Sequence, residues 1–335
     1  MSTPRVTLLF GLVLAIPPLI TGCSSGAPSD PDGSGAASTG SGGAAAVGSG
    51  GALILATGGG LVIDDVGSGG TGSGGMPTMI IRELPAGFTA AEGALAGTDA
   101  DQLRGGFQLI GALADVTNTE TTACANVLRV LVRDFTTFSH PDFGGLKPPA
   151  DATGMVAAAL GTDRKPVRTE LLPEVAVQFE DWYANVDAIN VPYVVDLWLE
   201  PDLEQFVFDS SRFFPLDSVT TDDDKQEDAD DALRNFGFTT ELHTSFEYQG
   251  GETFTFRGDD DVFVFVNAAL VVDLGGVHGP VEGSVAIDDL GLTPGAVYDL
   301  DLFQAERNPF GSNFRLETTL DFTECGVILP DDVVK

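Results

Sequence analysis

Residues 254–272 read FTFRGDDDVFVFVNAALVV, and this stretch decides the fold. Aromatic and β-branched residues alternate at 254–256 and 262–266, and a glycine followed by three aspartates separates the two runs. A period of two is typical of β-strands, and Gly/Asp clusters are typical of the turns between them. The stretch therefore predicts consecutive strands at 254–256, 262–266 and 270–272.

The same texture recurs on both sides of this stretch, at 127–135, 206–208, 242–248, 297–303 and 314–322. Turn signals such as Gly275-Gly276 separate the runs. Strands at this spacing with few helical patterns predict an all-β fold, an antiparallel β-sandwich or barrel. We expect one short helix at most, at 174–186, where Phe179, Trp182 and Tyr183 recur at helical spacing and are assigned to the core.

The N-terminal part of the chain has a different composition. Residues 24–75 are almost wholly Gly, Ser, Ala, Pro and Thr, and such a segment cannot bury enough apolar surface to offset the entropy of ordering. We therefore predict a signal peptide at 1–22, a disordered linker at 23–75, a weakly ordered lead-in at 76–123 and a single β domain at 124–328.

The first residues have the pattern of an export signal. Arg5 precedes an apolar run at 6–20, which is shorter than the ~20 residues that a membrane-spanning helix needs. The run ends in LITGC at 19–23, which resembles the bacterial lipobox. The resemblance implies a diacylglycerol on Cys23 and a protein anchored to the cell envelope, at the outer membrane or the cell surface. The alternative is an ordinary secretory signal with an incidental cysteine.

Charge and cysteine content narrow the partners. The chain has 16 Lys+Arg against 50 Asp+Glu, a net charge of −34, so it repels nucleic acid and attracts cations. A solvated acidic surface is the simpler interpretation of most of this charge. Besides Cys23 there are two cysteines, Cys124 and Cys325. In an oxidising compartment they are expected to form a disulfide, and two buried free thiols are the alternative.

Several blocks together resemble the fibro-slime domain, a variant of the PA14 β-barrel, over about residues 127–325. They are RDF at 133–135, HPDF at 140–143, FRGDDDVFVFVN at 256–267, DLGGVHG at 273–279, LFQAER at 302–307 and GSNFR at 311–315. The family usually has Asn-Gly where this chain has Asn267-Ala268. Because Ala adopts a positive φ only at a cost, we expect a different hairpin turn there.

The resemblance implies a binding module for extracellular glycan or polysaccharide, assisted by calcium. In the lectin members of the family, adjacent aspartates joined by a cis peptide hold the ion with an Asn from a neighbouring loop. Asp259-Asp260 matches the pair, and Asn313 is the candidate for the Asn. Asp261, His278 and Arg307 are further candidates for ligand contact, although His278 has a loop-packing alternative.

The chemistry of these residues agrees with a cation. Calcium takes six to eight hard oxygens, and consecutive aspartates repel one another unless a cation neutralises them. The alternative is a solvated turn in which the carboxylates of residues 259–261 accept backbone N–H groups. A second acidic run at 222–231 lacks the Gly and the final Glu of an EF-hand loop, so we interpret it as a solvated loop.

Nothing in the sequence indicates an enzyme. The three histidines, His140, His243 and His278, form no zinc-binding spacing. The chain also lacks a Gly-x-Ser-x-Gly motif and the lysine of a phosphate loop. The sequence therefore predicts a calcium-assisted glycan-binding lipoprotein of the cell surface. The alternative is a structural, self-associating matrix protein without a specific small ligand, and the oligomeric state is left open.

Overall fold

The structure is a computed structural model that describes residues 84–91, 105–116, 126–136, 140–144, 150–170, 178–329 and 332. All of them belong to one compact unit, Ala56–Lys335. The predicted signal peptide, Cys23, the linker and Cys124 lie outside the described residues, so the predictions about them stay predictions.

The described residues form eighteen β-strands and four short 3₁₀ helices. The strands are β1 (Thr89–Ala90), β2 (Gly106–Ala112), β3 (Val127–Phe135), β4 (Ala150–Asp151), β5 (Asn190–Trp198), β6 (Glu200–Asp202), β7 (Gln205–Ser210), β8 (Gln226–Glu227), β9 (Leu233–Arg234), β10 (Phe238–Glu247), β11 (Thr253–Gly258), β12 (Asp261–Val266), β13 (Ala269–Leu274), β14 (Gly276–Val277), β15 (Val281–Ala286), β16 (Val297–Glu306), β17 (Phe314–Thr318) and β18 (Asp321–Glu324). The 3₁₀ helices are Leu113–Asp115, Phe179–Asp181, Asp222–Asp224 and Ile287–Leu290.

Two antiparallel sheets build the domain. The larger has nine strands in the order β1-β2-β5-β3-β10-β16-β12-β13, with β18 also paired to β10. The smaller has five strands in the order β15-β11-β17-β7-β6. Two further pairs, β4 with β14 and β8 with β9, complete the described strands. The prediction of an antiparallel all-β fold is confirmed.

Alternation along β12 explains why the larger sheet is buried on both faces. Val262, Val264 and Val266 pack into the core between the two sheets, together with Phe254 and Phe314 of the smaller sheet. Phe263 and Phe265 point the other way, into a second apolar layer. Because both faces are covered, β12 is an apolar run without polar alternation and β16 is buried at every position from 300 to 306.

The second layer is aromatic and is closed by residues from 140–144, 152–160 and 178–190. Phe179, Trp182 and Tyr183 are 4%, 0% and 3% exposed, which confirms their assignment to the core. Within the described residues the helix expected at 174–186 is reduced to the 3₁₀ turn Phe179–Asp181. That turn seats Trp182 against Phe143, with ring centroids 5.6 Å apart.

The described part of the lead-in is more ordered than its sequence suggests. Strands β1 and β2 extend the nine-stranded sheet, and β2 pairs with β5 along its length. A register shift interrupts this pairing between Leu109 and Gly111, so the inward and outward positions exchange part-way along the strand. That exchange removes the simple alternation by which the strand could have been recognised.

The hairpin between β12 and β13 corrects one expectation. Asn267 and Ala268 both have positive φ, 50° and 63°, which is the arrangement that Asn-Gly supplies in two-residue hairpins. Neighbouring pairing holds Ala268 in this conformation: its carbonyl accepts the Leu160 N–H at 3.1 Å, and the Asn267 N–H donates to the Asp299 carbonyl at 2.9 Å. The surrounding contacts therefore retain the turn that we expected to change.

A C-terminal strap, residues 325–329 with Asp332, crosses the outer face of the larger sheet. The Val327 N–H donates to the His243 carbonyl at 2.8 Å, and Ile328 packs with Leu113, Leu131 and Val194. Buried Cys325 belongs to the strap, and its predicted pairing with Cys124 stays a prediction.

Ion pairs hold the end of the strap. The Asp332 carboxylate lies 2.8 Å from Arg133 and 2.9 Å from Lys165. The same two cations contact Glu241, which in turn contacts His243. Burial opposes ionisation of Glu241, but Arg133 and Lys165 hold its pKa well below its usual range. The strap is therefore joined to β3 and β10 by a buried ionic network.

Candidate functional site

Asp259 and Asp260 occupy the tight turn from β11, in the smaller sheet, to β12, in the larger sheet, and Asp261 is the first residue of β12. Gly258 ends β11 directly before the turn, where a Cβ atom would lie 2.6 Å from the Asn313 carbonyl oxygen. Only glycine lets β11 and the 311–313 loop approach this closely. The Asp259-Asp260 peptide bond is cis, as the family resemblance implied.

Asp259 faces the loop that carries Asn313. Its Oδ1 accepts the Asn313 backbone N–H at 2.5 Å, and its Oδ2 accepts the side-chain Nδ2 at 2.7 Å. Asp259 is 4% exposed. Burial raises the pKa of its carboxyl to about 6, against the opposing effect of the two Asn313 hydrogen bonds. The structure thus brings together the two residues that the sequence analysis paired.

Asp260 turns toward the other wall of the site. Its Oδ1 accepts the His278 backbone N–H at 3.2 Å, and its Oδ2 accepts the Arg307 backbone N–H at 3.0 Å. Burial and the neighbouring Asp261 raise its pKa well above the usual range of an aspartate. The ionised form of this carboxyl therefore has too little compensation in the protein itself.

Asp261 and Arg307 lie behind the site. Asp261 is 0% exposed and Arg307 1% exposed. The Arg307 Nε donates to Asp261 Oδ2 at 2.6 Å, and its guanidinium lies 4.7 Å from the centre of the Trp182 ring. Both residues were predicted to contact a ligand, but their burial makes them positioning residues. Their ion pair joins the start of β12 to the residue that follows β16, and it packs against the aromatic layer through Trp182.

Glu306, at the end of β16, was not among the residues predicted to bind the metal or the ligand. It is fully buried, and burial together with the charges of Asp260 and Asp259 raises its pKa well above the usual range. Its Oε2 has no hydrogen-bond partner among the described residues. Its position carried a signal, because Leu300 and Leu302 share its parity along β16 and face the core.

The acidic pair opens into a cavity of about 160 Å³, which we call the acidic pocket. Its other lining residues are Val277, His278, Gly279, Pro280, Asn308, Phe310 and Gly311. The ring nitrogens of His278 lie 2.9 Å from the carbonyl oxygens of Gly279 and Leu274, so its ring is fixed in the wall. Phe310 is 82% exposed and presents its ring at the rim.

The donor set fits a hard cation in part. Within the described residues no group of three or more His, Cys, Asp and Glu side chains is arranged to hold a metal ion. Asp259 and Asp260 supply two carboxylates, and Asn313 would present its Oδ1 after a half-turn of its amide. A calcium ion needs six to eight oxygens, so the rest would come from backbone carbonyls, water or the hydroxyl groups of a ligand.

The acidic run at 222–231 does not contribute to the acidic pocket. Asp222 and Asp223 are exposed, as expected for a solvated loop. Asp228 differs from that expectation, because it pairs with Arg212 and Arg234 at 3.1 and 3.2 Å. This part of the run is an ion-paired hairpin, β8–β9.

Comparison with known proteins finds relatives among slime-mould proteins. No protein-family model matches the chain. Three of the Dictyostelium discoideum proteins to which it is similar serve as examples. They are psiR (36% identity over 221 residues, covering 60% of this chain and 22% of psiR), psiQ (34% over 226 residues, 61% and 23%) and psiH (35% over 222 residues, 57% and 31%). The chain thus spans less than a third of the length of these curated relatives.

Among solved structures, the chain is similar to the PA14 domain of the MpAFP antifreeze protein, with 9% identity, coverage of 64% of this chain and 94% of that chain, and a TM-score of 0.27. It is also similar to a PA14 sugar-binding domain from an RTX adhesin, with 12% identity, coverage of 59% and 96%, and a TM-score of 0.25. Within the described residues, no helix is both long and apolar enough to cross a membrane.

Proposed function

We propose that this chain is an exported, lipid-anchored module that binds extracellular glycan through a calcium ion in the acidic pocket. The observation that carries the proposal is the pair Asp259 and Asp260, two buried carboxyls with raised pKa values at the floor of an open cavity. Carboxylates in that position are stabilised by a cation that the cavity can admit.

A sugar is the ligand that best completes such a site. The protein offers two carboxylates and amide oxygens, so vicinal hydroxyl groups of a sugar would complete the coordination of calcium. Phe310 adds an exposed aromatic ring to the lining, which also includes Pro280. Such a ring covers the apolar C–H face of a pyranose, because aromatic side chains supply a large, flat contact area.

Anchoring at the cell surface is the second half of the proposal. It rests on the lipobox-like run ending in Cys23 and on the Gly/Ser-rich linker that follows. A flexible linker of this length reaches roughly 35–45 Å on average, which would hold the pocket clear of a membrane. Metabolic labelling with a fatty-acid analogue, compared between the native chain and Cys23→Ala, tests this half separately.

The test of the pocket uses the Asp259→Asn/Asp260→Asn double variant. Its matched control is Asp222→Asn/Asp223→Asn, which removes two exposed carboxylates from the other acidic run. Calcium at 100 times its Kd is expected to stabilise the native chain and the control by about 2.7 kcal/mol. The double variant is expected to gain nothing from calcium. Its basal stability in calcium-free buffer is not the readout, because an amide nitrogen at position 260 would face a backbone N–H that the carboxylate accepts.

Glycan binding is measured on a glycan array, with and without chelator. Phe310→Ala is expected to lower binding without changing the melting temperature, and Leu203→Ala, which removes an 86% exposed side chain elsewhere, is the control. A calcium response that survives in the double variant would contradict the site. A blank array together with chelator-insensitive, concentration-dependent assembly would instead favour the self-associating matrix protein.

A further inference from the structure

A second cavity of about 300 Å³, which we call the arginine groove, lies between β2 and the 212–218 loop. Its walls include Phe107, Leu109, Phe214, Arg212, Arg234 and Asp217, and it shares no lining residue with the acidic pocket. The chain has only 16 basic residues against 50 acidic ones. Two guanidinium groups at one groove therefore depart from the general charge of the molecule.

Two of the carboxylates that pair with these arginines also accept backbone N–H groups, which hold them in place. Asp228 Oδ2 contacts both Arg212 and Arg234, while its Oδ1 accepts the backbone N–H groups of Asp230 and Ala232, both at 2.9 Å. Asp217 accepts from Arg234 at 2.9 Å and, with its other oxygen, from the backbone N–H of residue 235 at 2.9 Å. These two carboxylates belong to the framework of the groove.

The third carboxylate is held only loosely. Asp230 pairs with Arg212 NH1 at 2.5 Å, but its side chain is 69% exposed, against 30% for the arginine. An exposed ion pair of this kind contributes about 0–1 kcal/mol. A carboxylate that arrives from solution can therefore take the place of Asp230 at Arg212 with little loss.

Aromatic side chains define what accompanies that carboxylate. Phe107 is half-buried in the groove wall, and the Arg234 guanidinium lies 5.2 Å from the centre of the Phe214 ring. The planar guanidinium of Arg212 donates to Asp228 from one terminal nitrogen and to Asp230 from the other, an arrangement that a lysine cannot reproduce. The volume is at the lower limit of small-molecule sites, so it suits a single sugar ring rather than a long chain.

From this geometry we propose that the arginine groove binds a carboxylated sugar, a uronate residue of an acidic glycan, with its carboxylate on Arg212 and its ring against Phe107. The proposal extends the proposed function by adding a second subsite of a different chemistry. It does not require calcium, so either site can fail without the other.

The experiment is a calorimetric titration of the full chain with digalacturonate in the presence of chelator. The native chain is expected to bind it and to ignore the neutral galactose disaccharide. Arg212→Gln is expected to weaken binding about tenfold or more, the effect of losing a charge-assisted hydrogen bond. Arg212→Lys should also weaken it, because the charge remains but the fork is lost. Asp230→Asn is expected to tighten binding, because the internal competitor is gone.

Controls separate this subsite from the acidic pocket and from general charge effects. The Asp259→Asn/Asp260→Asn double variant is expected to bind digalacturonate as the native chain does. Equal binding of acetate, or of a short Asp/Glu peptide, would overturn the assignment to a sugar. Unchanged binding by Arg212→Gln with an unchanged melting temperature, or no tightening in Asp230→Asn, would overturn the displacement of Asp230.

Discussion

At the scale of single residues, Ala268 has an unfavourable backbone conformation that the hydrogen bonds around it maintain. A residue other than Gly, Asn or Asp that adopts the left-handed region raises the free energy of the folded state by about 1–2 kcal/mol. The turn keeps Ala there because the neighbouring hydrogen bonds of Ala268 and Asn267 require it. The sequence identified the position correctly but led to the wrong outcome, since it does not reveal the contacts that residue 268 makes with residue 160.

Ala268→Gly is therefore expected to stabilise the protein by about 1 kcal/mol, because glycine adopts a positive φ without a Cβ penalty. The measurement is urea unfolding. Ala269→Gly is the control, since Ala269 is exposed in β13 and has no positive φ. That neighbouring change should destabilise the protein by about 0.5–1 kcal/mol. Changes of the same sign in both variants would contradict this explanation.

Asp134 makes stability depend on pH. Burial raises its pKa to about 6, against the hydrogen bonds from Thr220 and Asn235. The folded state then binds this proton more tightly than the unfolded state, whose carboxyl has a pKa near 3.8. Asp134 therefore adds to the free energy of unfolding at acidic pH, and this contribution is lost as the pH rises from about 4 through about 6.

In calcium-free buffer, raising the pH from 5 to 7 is expected to cost about 1.4 kcal/mol through Asp134, the equivalent of one pKa unit. Asp259 acts in the same direction, because its pKa is also raised to about 6. Urea unfolding at a series of pH values measures the slope. Asp134→Asn should flatten it in part, and a slope that is unchanged in this variant would assign the pH dependence to other groups.

The site residues divide by how local their role is. The proximity of Asp259 and Asn313 followed from the family resemblance, and calcium binding by Asp259, Asp260 and Asn313 stays a prediction. The buried roles of Asp261 and Arg307 were not predictable, because they depend on Trp182, which arrives from a distant part of the sequence. Glu306 was detectable by its inward parity in β16, which the sequence analysis did not use.

At the scale of elements, the strap is attached at both of its ends to the outer face of the larger sheet. Gly326 lies so close to β3 that a Cβ atom would meet the Arg129 carbonyl oxygen at 2.0 Å. The strap is therefore fixed at one end by close packing and at the other by the ion pairs of Asp332. Neither feature is visible in the sequence, where 326–332 is a short apolar and acidic stretch.

Asp332→Asn is expected to destabilise the protein by about 3–5 kcal/mol, because it leaves Arg133 and Lys165 buried with one fewer counter-charge. Chemical denaturation gives the magnitude. Hydrogen exchange should show faster exchange of the Val327 N–H, which donates to the His243 carbonyl in β10. Asp222→Asn, which breaks the exposed pair with Lys225, is the matched control and should cost no more than about 1 kcal/mol. Equal losses of stability in the two variants would contradict a buried attachment of the strap.

Elements with strict alternation were predicted well, and those with interrupted alternation were not. Strand β11, in the smaller sheet, alternates between buried and more exposed positions. Along β12, Val and Phe alternate between the two apolar layers that cover the larger sheet. Strand β2 was missed because its register shifts at Gly111. The helix expected at 174–186 failed because the aromatic spacing that suggested it is also met by a 3₁₀ turn over the second layer.

At the scale of the whole molecule, the net charge of −34 acts against the compact state. Like charges repel across the surface, and salt screens them over a Debye length of about 10 Å at 0.1 M. Added sodium chloride is therefore expected to raise the melting temperature of the native chain and of the Asp259→Asn/Asp260→Asn variant alike. Calcium at matched ionic strength should raise it further only in the native chain, which separates screening from binding.

Because Arg307 stacks on Trp182, the fluorescence of Trp182 should report the occupancy of the acidic pocket. The chain has two tryptophans, and Trp182 is completely buried beneath the cation that also holds Asp261 through its side chain. A charge arriving at the neighbouring carboxylates would alter the electric field at the indole, so emission should shift when the acidic pocket fills. With Trp198 replaced by Phe, fluorescence alone would follow occupancy in real time, without any attached dye.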